Sequence, residues 1–182
     1  MDDRAIVAQL KATLGITGGE ETYDEQGRLI GLDLSKLDIT YLPGEVGLLS
    51  NLLTLDLNNN QLTRMPIELA QLTSLEWLNL GNNQLIQVPV ELAQLTTLQT
   101  LDLWSNQLTQ IPVELARLTN LRNLDLSSNQ LTQIPVELAQ LTNLQELDLS
   151  NNQLTQIPVE LNASKMIMRP ERVTEERLAP YL

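Results

Sequence analysis

Acidic side chains recur at one fixed spacing through most of this chain. Five aspartates and one asparagine stand 23 residues apart, at Asp33, Asp56, Asn79, Asp102, Asp125 and Asp148. Carboxylates brought together could act as general acid and base, hold a cation or attract a basic partner. Acid–base catalysis needs two carboxyl groups in different environments inside a cleft, whereas a regular column gives all its members similar open surroundings. Calcium needs about six to eight converging oxygens. We therefore predict no catalysis, no metal site and no cofactor.

Two interpretations of this acidic column remain open. In the first, it is a stripe that attracts a basic peptide or a cation. In the second, aspartate is simply tolerated on an exposed strand among solvated neighbours. Two carboxylates about 5 Å apart, one strand spacing, repel by roughly 0.8 kcal/mol in a water-like dielectric, so the column is tolerable without being favourable.

Both tryptophans of the chain, Trp77 and Trp104, lie at positions that vary between the copies, two residues before or after the acidic column. Exposed aromatic side chains in the middle of a surface are typical of binding hot spots. Gly81 is the residue equivalent to Trp104 in the preceding copy, and it leaves room for that indole to lie flat. The alternative is that each indole packs over small neighbours and stabilises the sheet.

The element that must position these residues is a 23-residue repeat. Six units begin at Leu29, Leu52, Leu75, Leu98, Leu121 and Leu144, with the shared pattern LxxLDLxxNQLTQIPVELAQLTN. The LxL step has the period of a strand, and stacked copies predict a parallel sheet. Parallel strands need a crossover, and IPVEL suits a short helix or 3₁₀ turn. We expect Pro112 at its first position, Glu114 in its first turn, and Leu115 and Leu118 buried.

The segments LQTLDLWSNQL and LRNLDLSSNQL, at 98–108 and 121–131, resemble the leucine-rich repeat signature L-x-x-L-x-L-x-x-N-x-L. The resemblance covers roughly residues 29–161, and the IPxELxxL half resembles intracellular and bacterial repeat classes. It implies an α/β fold, a right-handed solenoid with a parallel sheet on the concave face and short helical or 3₁₀ turns on the convex face. It also implies an asparagine ladder made by Asn60, Asn83, Asn106, Asn129 and Asn152.

Both ends depart from the repeat, as solenoid caps do. A first helix is predicted, capped by Asp2 or Asp3, with one apolar face made by Ile6, Leu10 and Leu14. A hairpin turning at Gly27 follows, and Leu37 replaces the asparagine of the first unit. After the repeats, Met166, Ile167 and Met168 are predicted to cover the last leucines, and Pro170 to Leu178 to form a polar helix. The predicted divisions are an N-terminal cap at 1–28, six repeats at 29–161 and a C-terminal cap at 162–182.

Composition narrows the class of function further. The chain has no cysteine and no histidine, which excludes disulfides, thiolate nucleophiles and imidazole bases. Its net charge of −12 disfavours nucleic acid and anionic membrane surfaces. The N-terminal sequence resembles no export signal, and Tyr23 stands where secreted repeat proteins carry a disulfide cysteine. We expect a monomeric cytoplasmic protein.

The sequence thus predicts a protein–protein interaction module that binds a protein or peptide, with a basic component, on its concave face. The alternatives are a scaffold solenoid without a dedicated ligand and the recognition part of a larger signalling protein associated with a GTPase or ubiquitin ligase. The predicted partner-binding residues are Trp77, Asn79, Thr100, Asp102, Trp104, Asn123, Asp125, Glu146 and Asp148.

Overall fold

The computed structural model describes residues 2–162 and 167–169. Eight strands form one sheet in chain order: β1 (Glu20–Tyr23), β2 (Leu29–Asp33), β3 (Thr54–Asp56), β4 (Trp77–Asn79), β5 (Thr100–Asp102), β6 (Asn123–Asp125), β7 (Glu146–Asp148) and β8 (Ile167–Arg169). The helices are α1 (Asp3–Leu14), five 3₁₀ helices at Gly44–Leu48, Ile67–Gln71, Val90–Gln94, Val113–Arg117 and Val136–Gln140, and α2 (Val159–Asn162). Within the described ranges, no helix is both long and apolar enough to cross a bilayer.

The sheet follows the 23-residue period of the sequence. β1 and β2 are antiparallel, and every later neighbouring pair is parallel. In the parallel pairs from β2–β3 to β6–β7, paired residues are 23 positions apart, as Leu78 and Leu101 are, whereas in the β7–β8 pair they are 21 positions apart. The predicted solenoid, with its parallel sheet and 3₁₀ turns, is therefore confirmed.

The core is a continuous stack of leucines. In the fourth unit, Leu98, Leu101, Leu103 and Leu108 are all fully buried, and the same positions are buried in the neighbouring units. Burying one such side chain is worth roughly 1.5–3 kcal/mol. A strand of three residues has no stability alone, so each unit depends on the leucines of the units beside it.

The crossovers differ from the prediction in the position of the proline. Pro112 lies one residue before the 3₁₀ helix, as its N-cap, with φ −67° and ψ 138°. Its fixed φ suits this extended conformation as well as a helical one, and its carbonyl accepts the first helical hydrogen bond, from the Leu115 N–H at 3.1 Å. Glu114 lies in the first turn, and Leu115 and Leu118 are buried as expected.

The N-terminal helix packs on the first repeat. Its buried residues are Ile6, Val7 and Leu10, while Leu14 is half-buried. Asp2 is the N-cap residue, but its side chain makes no capping hydrogen bond. Asp3 instead accepts a hydrogen bond of 2.8 Å from the backbone N–H of Leu29, which ties the helix to β2.

The hairpin between β1 and β2 turns at Gly27, whose φ of 76° is left-handed. Asp24 organises this turn by accepting hydrogen bonds from the backbone N–H groups of Gln26 and Arg28, both at 2.9 Å. At the other end, the backbone at 167–169 adds β8 to the sheet, parallel to β7. The predicted packing of Met166, Ile167 and Met168 on the last leucines and the predicted helix from Pro170 to Leu178 lie outside what the structure describes.

One asparagine of each unit from the second onward points into the coil and bonds only to backbone groups. Asn106 donates from Nδ2 to the carbonyls of Leu80, Leu103 and Trp104 at 3.0, 3.1 and 3.2 Å. Its Oδ1 accepts from the N–H of Leu85 at 3.0 Å. The equivalent bonds are made by Asn60, Asn83, Asn129 and Asn152. Each asparagine thus joins two consecutive units.

The residue before each of these asparagines has a left-handed backbone. φ lies between 50° and 56° at Asn59, Asn82, Ser105, Ser128 and Asn151. Asparagine tolerates this region better than most residues. The turn that ends each strand therefore carries a small conformational cost, which the inward asparagine next to it offsets by hydrogen bonding.

Replacing a ladder asparagine should destabilise the solenoid. We expect Asn106→Ala to lower the free energy of unfolding by about 2–3 kcal/mol, because the buried Leu85 N–H and several carbonyls lose their partner. Urea denaturation followed by circular dichroism measures this. The matched control is Gln107→Ala, at an exposed neighbour, with a loss below about 0.5 kcal/mol. Equal losses for the two variants would contradict the ladder's role.

Candidate partner-binding surface on the concave face

The structure places the predicted binding residues on one face of strands β4 to β7. One row pairs Trp77, Thr100, Asn123 and Glu146 in register. The second row pairs Asn79, Asp102, Asp125 and Asp148. Trp104 lies two residues after the end of β5, and all nine residues are half-buried. They form one continuous surface because the strand register repeats every 23 residues.

A shallow depression of about 190 Å³ lies on this surface. Its lining includes six of the nine predicted residues, namely Thr100, Asp102, Asn123, Asp125, Glu146 and Asp148. Trp77, Asn79 and Trp104 are outside that lining and belong to the side nearer the N-terminus. The predicted site is therefore divided between an acidic depression and a tryptophan-bearing flank.

Each side chain of the acidic column also accepts a hydrogen bond from the backbone N–H two residues further on. Asp102 Oδ1 accepts from the Trp104 N–H at 3.1 Å, and Asp125 Oδ1 accepts from the Ser127 N–H at 2.9 Å. Asn79 makes the same bond through its amide oxygen to the Gly81 N–H at 3.0 Å. The sequence interpretation missed this role, although a recurring Asp or Asn that bonds the N–H two residues on is a common turn device.

Trp104 lies over the backbone of the preceding unit. A Cβ atom added to Gly81 would overlap Nε1 and Cδ1 of the Trp104 indole, so only glycine leaves space for the ring. Gly81 is itself buried beneath it. The indole is thus packed over Gly81, in the space that the sequence indicates, and part of it stays in contact with solvent.

The electrostatics of the column are not uniform. Burial raises the pKa of Asp102 to about 6. The hydrogen bond from the Trp104 N–H lowers this pKa, and the charges of Asp125 and Asp56 raise it further. Burial also raises the pKa of Asp56, aided by the charge of Asp33. No group of three or more acidic side chains in the described part of the chain is placed to hold a metal ion.

The raised pKa predicts a pH dependence of stability. The folded state binds the Asp102 proton more tightly than the unfolded state, so this group lowers stability as the pH rises from about 4 through 6. Asp102→Asn keeps the acceptor for the Trp104 N–H and removes the charge. We expect it to stabilise the protein by on the order of 1 kcal/mol at pH 7.5, after discounting for solvent screening, and by much less near pH 4.

Urea denaturation across this pH range measures the difference. The matched control is Asn79→Asp, which adds a charge between Asp56 and Asp102 in the same column and should destabilise the protein at pH 7.5. A stabilisation by Asp102→Asn that is the same at pH 4 and pH 7.5 would contradict the assignment.

The Gly81–Trp104 contact gives a second prediction. Gly81→Ala should displace the indole, with a cost of about 1–3 kcal/mol and a red shift of Trp104 emission, measured in a Trp77→Phe background. In a Trp104→Ser background the same change should cost much less, because the overlap is gone. The control is Ser127→Ala, the equivalent position one unit after Trp104. If the stability losses of Gly81→Ala and Trp104→Ser simply add in the double variant, the two residues are not in contact.

Family models and solved structures place this architecture among known proteins. A family model described as leucine rich repeat matches residues 28–85 and 96–154, and a model of two such repeats matches 73–117. Comparison with curated protein sequences gave no match.

Solved structures agree in fold. A Leptospira interrogans leucine-rich repeat protein is 36% identical, with a TM-score of 0.64, over 77% of this chain and 43% of its own. The ectodomain of the Arabidopsis thaliana receptor kinase SOBIR1 is 28% identical, with a TM-score of 0.65, over 84% of this chain and 94% of its own. The ectodomain of the Arabidopsis thaliana receptor kinase GASSHO1/SCHENGEN3 is 37% identical, with a TM-score of 0.75, over 85% of this chain and 20% of its own.

This chain therefore spans less than half of the Leptospira protein's length. The family model covers most of the stacked repeats, and their leucines and asparagines occupy the positions that the signature requires. The chain belongs to the leucine-rich repeat family.

Proposed function

We propose that this protein is a non-catalytic binding module that holds a basic segment of a protein or peptide on its concave face. The observation that carries the proposal is the acidic depression on β5 to β7, with the half-buried Trp104 beside it. Leucine-rich repeat domains are in general interaction modules. The GASSHO1/SCHENGEN3 ectodomain, which shares the fold, was solved in complex with Casparian strip integrity factor 2.

The charge of the depression favours a basic occupant. Asp102 and Asp125 are paired in register, and neither forms an ion pair within the described residues. Their mutual repulsion contributes to the raised pKa of Asp102. A lysine or arginine placed between them would relieve that repulsion, and binding would be coupled to loss of the Asp102 proton.

The tryptophans supply apolar contact area next to this charge. Trp77 and Trp104 lie on adjacent units, and their side chains are half-buried before any partner binds. A side chain already fixed by packing loses little conformational entropy on binding, which is a property of hot-spot residues. The Gly81 contact gives Trp104 this fixed position. The packing role and the binding role of Trp104 are therefore compatible.

We further propose that the module acts as a monomer in the cytoplasm. The support is compositional: a chain without cysteine suits a reducing compartment, and a net charge of −12 opposes self-association and the binding of nucleic acid or anionic membranes.

The function can be tested by affinity capture from lysate of the source cells. We expect wild-type protein to recover a partner with a basic segment, and Trp77→Ala/Trp104→Ala to recover at least about tenfold less, the loss of two hot-spot contacts. Recovery should also fall as the salt is raised well above about 0.15 M, because the attraction is electrostatic. Gln107→Ala/Gln130→Ala, at exposed positions outside this surface, is the matched control. Equal recovery by wild type and the tryptophan variant would refute the site.

A further inference from the structure

A row of exposed aliphatic side chains runs along the convex side, on the last four 3₁₀ helices and on α2. Each follows the proline that starts its turn, and the five residues are 44–73% exposed. We call this row the aliphatic stripe: Ile67, Val90, Val113, Val136 and Val159. The leucine two residues further along is by contrast at most 1% exposed in each of these turns, as Leu115 is in the same 3₁₀ helix as Val113.

Folding does not require the stripe. In the first unit the equivalent residue is Gly44, and the 3₁₀ helix Gly44–Leu48 forms there as in the other units. The buried residues of each later 3₁₀ helix are its leucine and, in three of them, its alanine, not the stripe residue. Contiguous exposed apolar side chains of this kind mark interaction surfaces.

The stripe borders a groove. A depression of about 520 Å³ is lined in part by Pro112, Val113, Pro135, Val136 and Pro158. Its rim is set by consecutive units, so a ligand in it would contact three repeats along the solenoid. The prolines hold this backbone with a fixed φ, which makes the surface preformed.

A column of glutamates accompanies the stripe, since each stripe residue is followed directly by one: Glu68, Glu91, Glu114, Glu137 and Glu160. Glu91, Glu114 and Glu137 have no ion-pair partner in the part of the chain that the structure describes. Arg117 supplies one cation at the end of the 3₁₀ helix that carries Val113, where the neighbouring helices end in Gln94 and Gln140. The surface is therefore an apolar row beside a predominantly negative row.

The negative charge beside the stripe disfavours two of the possible ligands of the groove. A second copy of the chain would bring two glutamate rows together, and an anionic lipid surface would meet the same repulsion. We propose that the aliphatic stripe and its glutamates bind an amphipathic, basic helix of a partner protein, at a second surface separate from the concave face. Apolar residues of that helix would contact the stripe while its lysines or arginines face the glutamates.

The spacing of the repeats fits such a helix. Strands stack about 4.8 Å apart, so three consecutive stripe residues span about 10 Å. Two turns of an α-helix rise about 11 Å, and residues at i, i+4 and i+7 lie on one face. A helix lying along the solenoid can thus place one apolar side chain per repeat over three repeats.

The test uses a fluorescein-labelled peptide of leucine and lysine, about four helical turns long, with leucine at i, i+3, i+4 and i+7. The control peptide has the same composition with the leucines scrambled. We expect wild-type protein to bind the patterned peptide at least tenfold more tightly by fluorescence anisotropy. Val113→Thr/Val136→Thr, which keeps the side-chain shape, should weaken binding by about tenfold. The same loss of about tenfold is expected when Val113→Thr/Val136→Thr is made in a Trp77→Ala/Trp104→Ala background, which separates this surface from the concave site.

Three results would overturn the proposal. Equal affinity for both peptides would show attraction by charge alone. Equal binding by wild type and Val113→Thr/Val136→Thr, with melting temperatures matched, would exclude the stripe. A wild-type dimer in sedimentation that becomes monomeric in the stripe variant would show that a second copy is the occupant.

Discussion

The hydrogen bonds of the inward asparagines are the interaction on which the rest of this molecule depends. A coil of 23 residues must turn its backbone after each short strand, and the turn leaves N–H and C=O groups facing a leucine core without water. Asn106 satisfies carbonyls of its own unit and of the preceding one, together with the N–H of Leu85. Unsatisfied buried groups would cost about 1–3 kcal/mol each, so each unit from the second onward depends on this side chain to join the unit before it.

The same backbone constraint reaches the concave surface. The side chains of the acidic column are fixed by the turn that follows each strand, since each Asp or Asn accepts a hydrogen bond from the N–H two residues on. The indole of Trp104 packs on the glycine of the preceding unit. Side chains that would form a binding surface are therefore also part of the scaffold. Fixing them before a partner arrives reduces the entropy lost on binding.

The two surfaces share negative charge and differ in their apolar component. On the concave face, carboxylates in register repel each other, and burial raises the pKa of Asp102 into the range near 6. On the convex side, glutamates border an exposed aliphatic row instead. Both surfaces lie outside the leucine core that contains Leu101 and Leu115, although Trp104 on the concave face still depends on the space left by Gly81.

The sequence by itself determined the period, the register of the sheet and the buried leucines, because each follows from local pattern and from identical neighbours 23 residues apart. It also indicated the space that Gly81 leaves for Trp104. It did not determine the position of Pro112 as N-cap, because a φ near −65° suits the residue before a turn and the first residue within it. Nor did it show that Val113, two residues before the buried Leu115, is exposed. Only the tertiary structure decided which residues the acidic depression includes and how far Asp102 is removed from water, because both depend on side chains that meet across separate units.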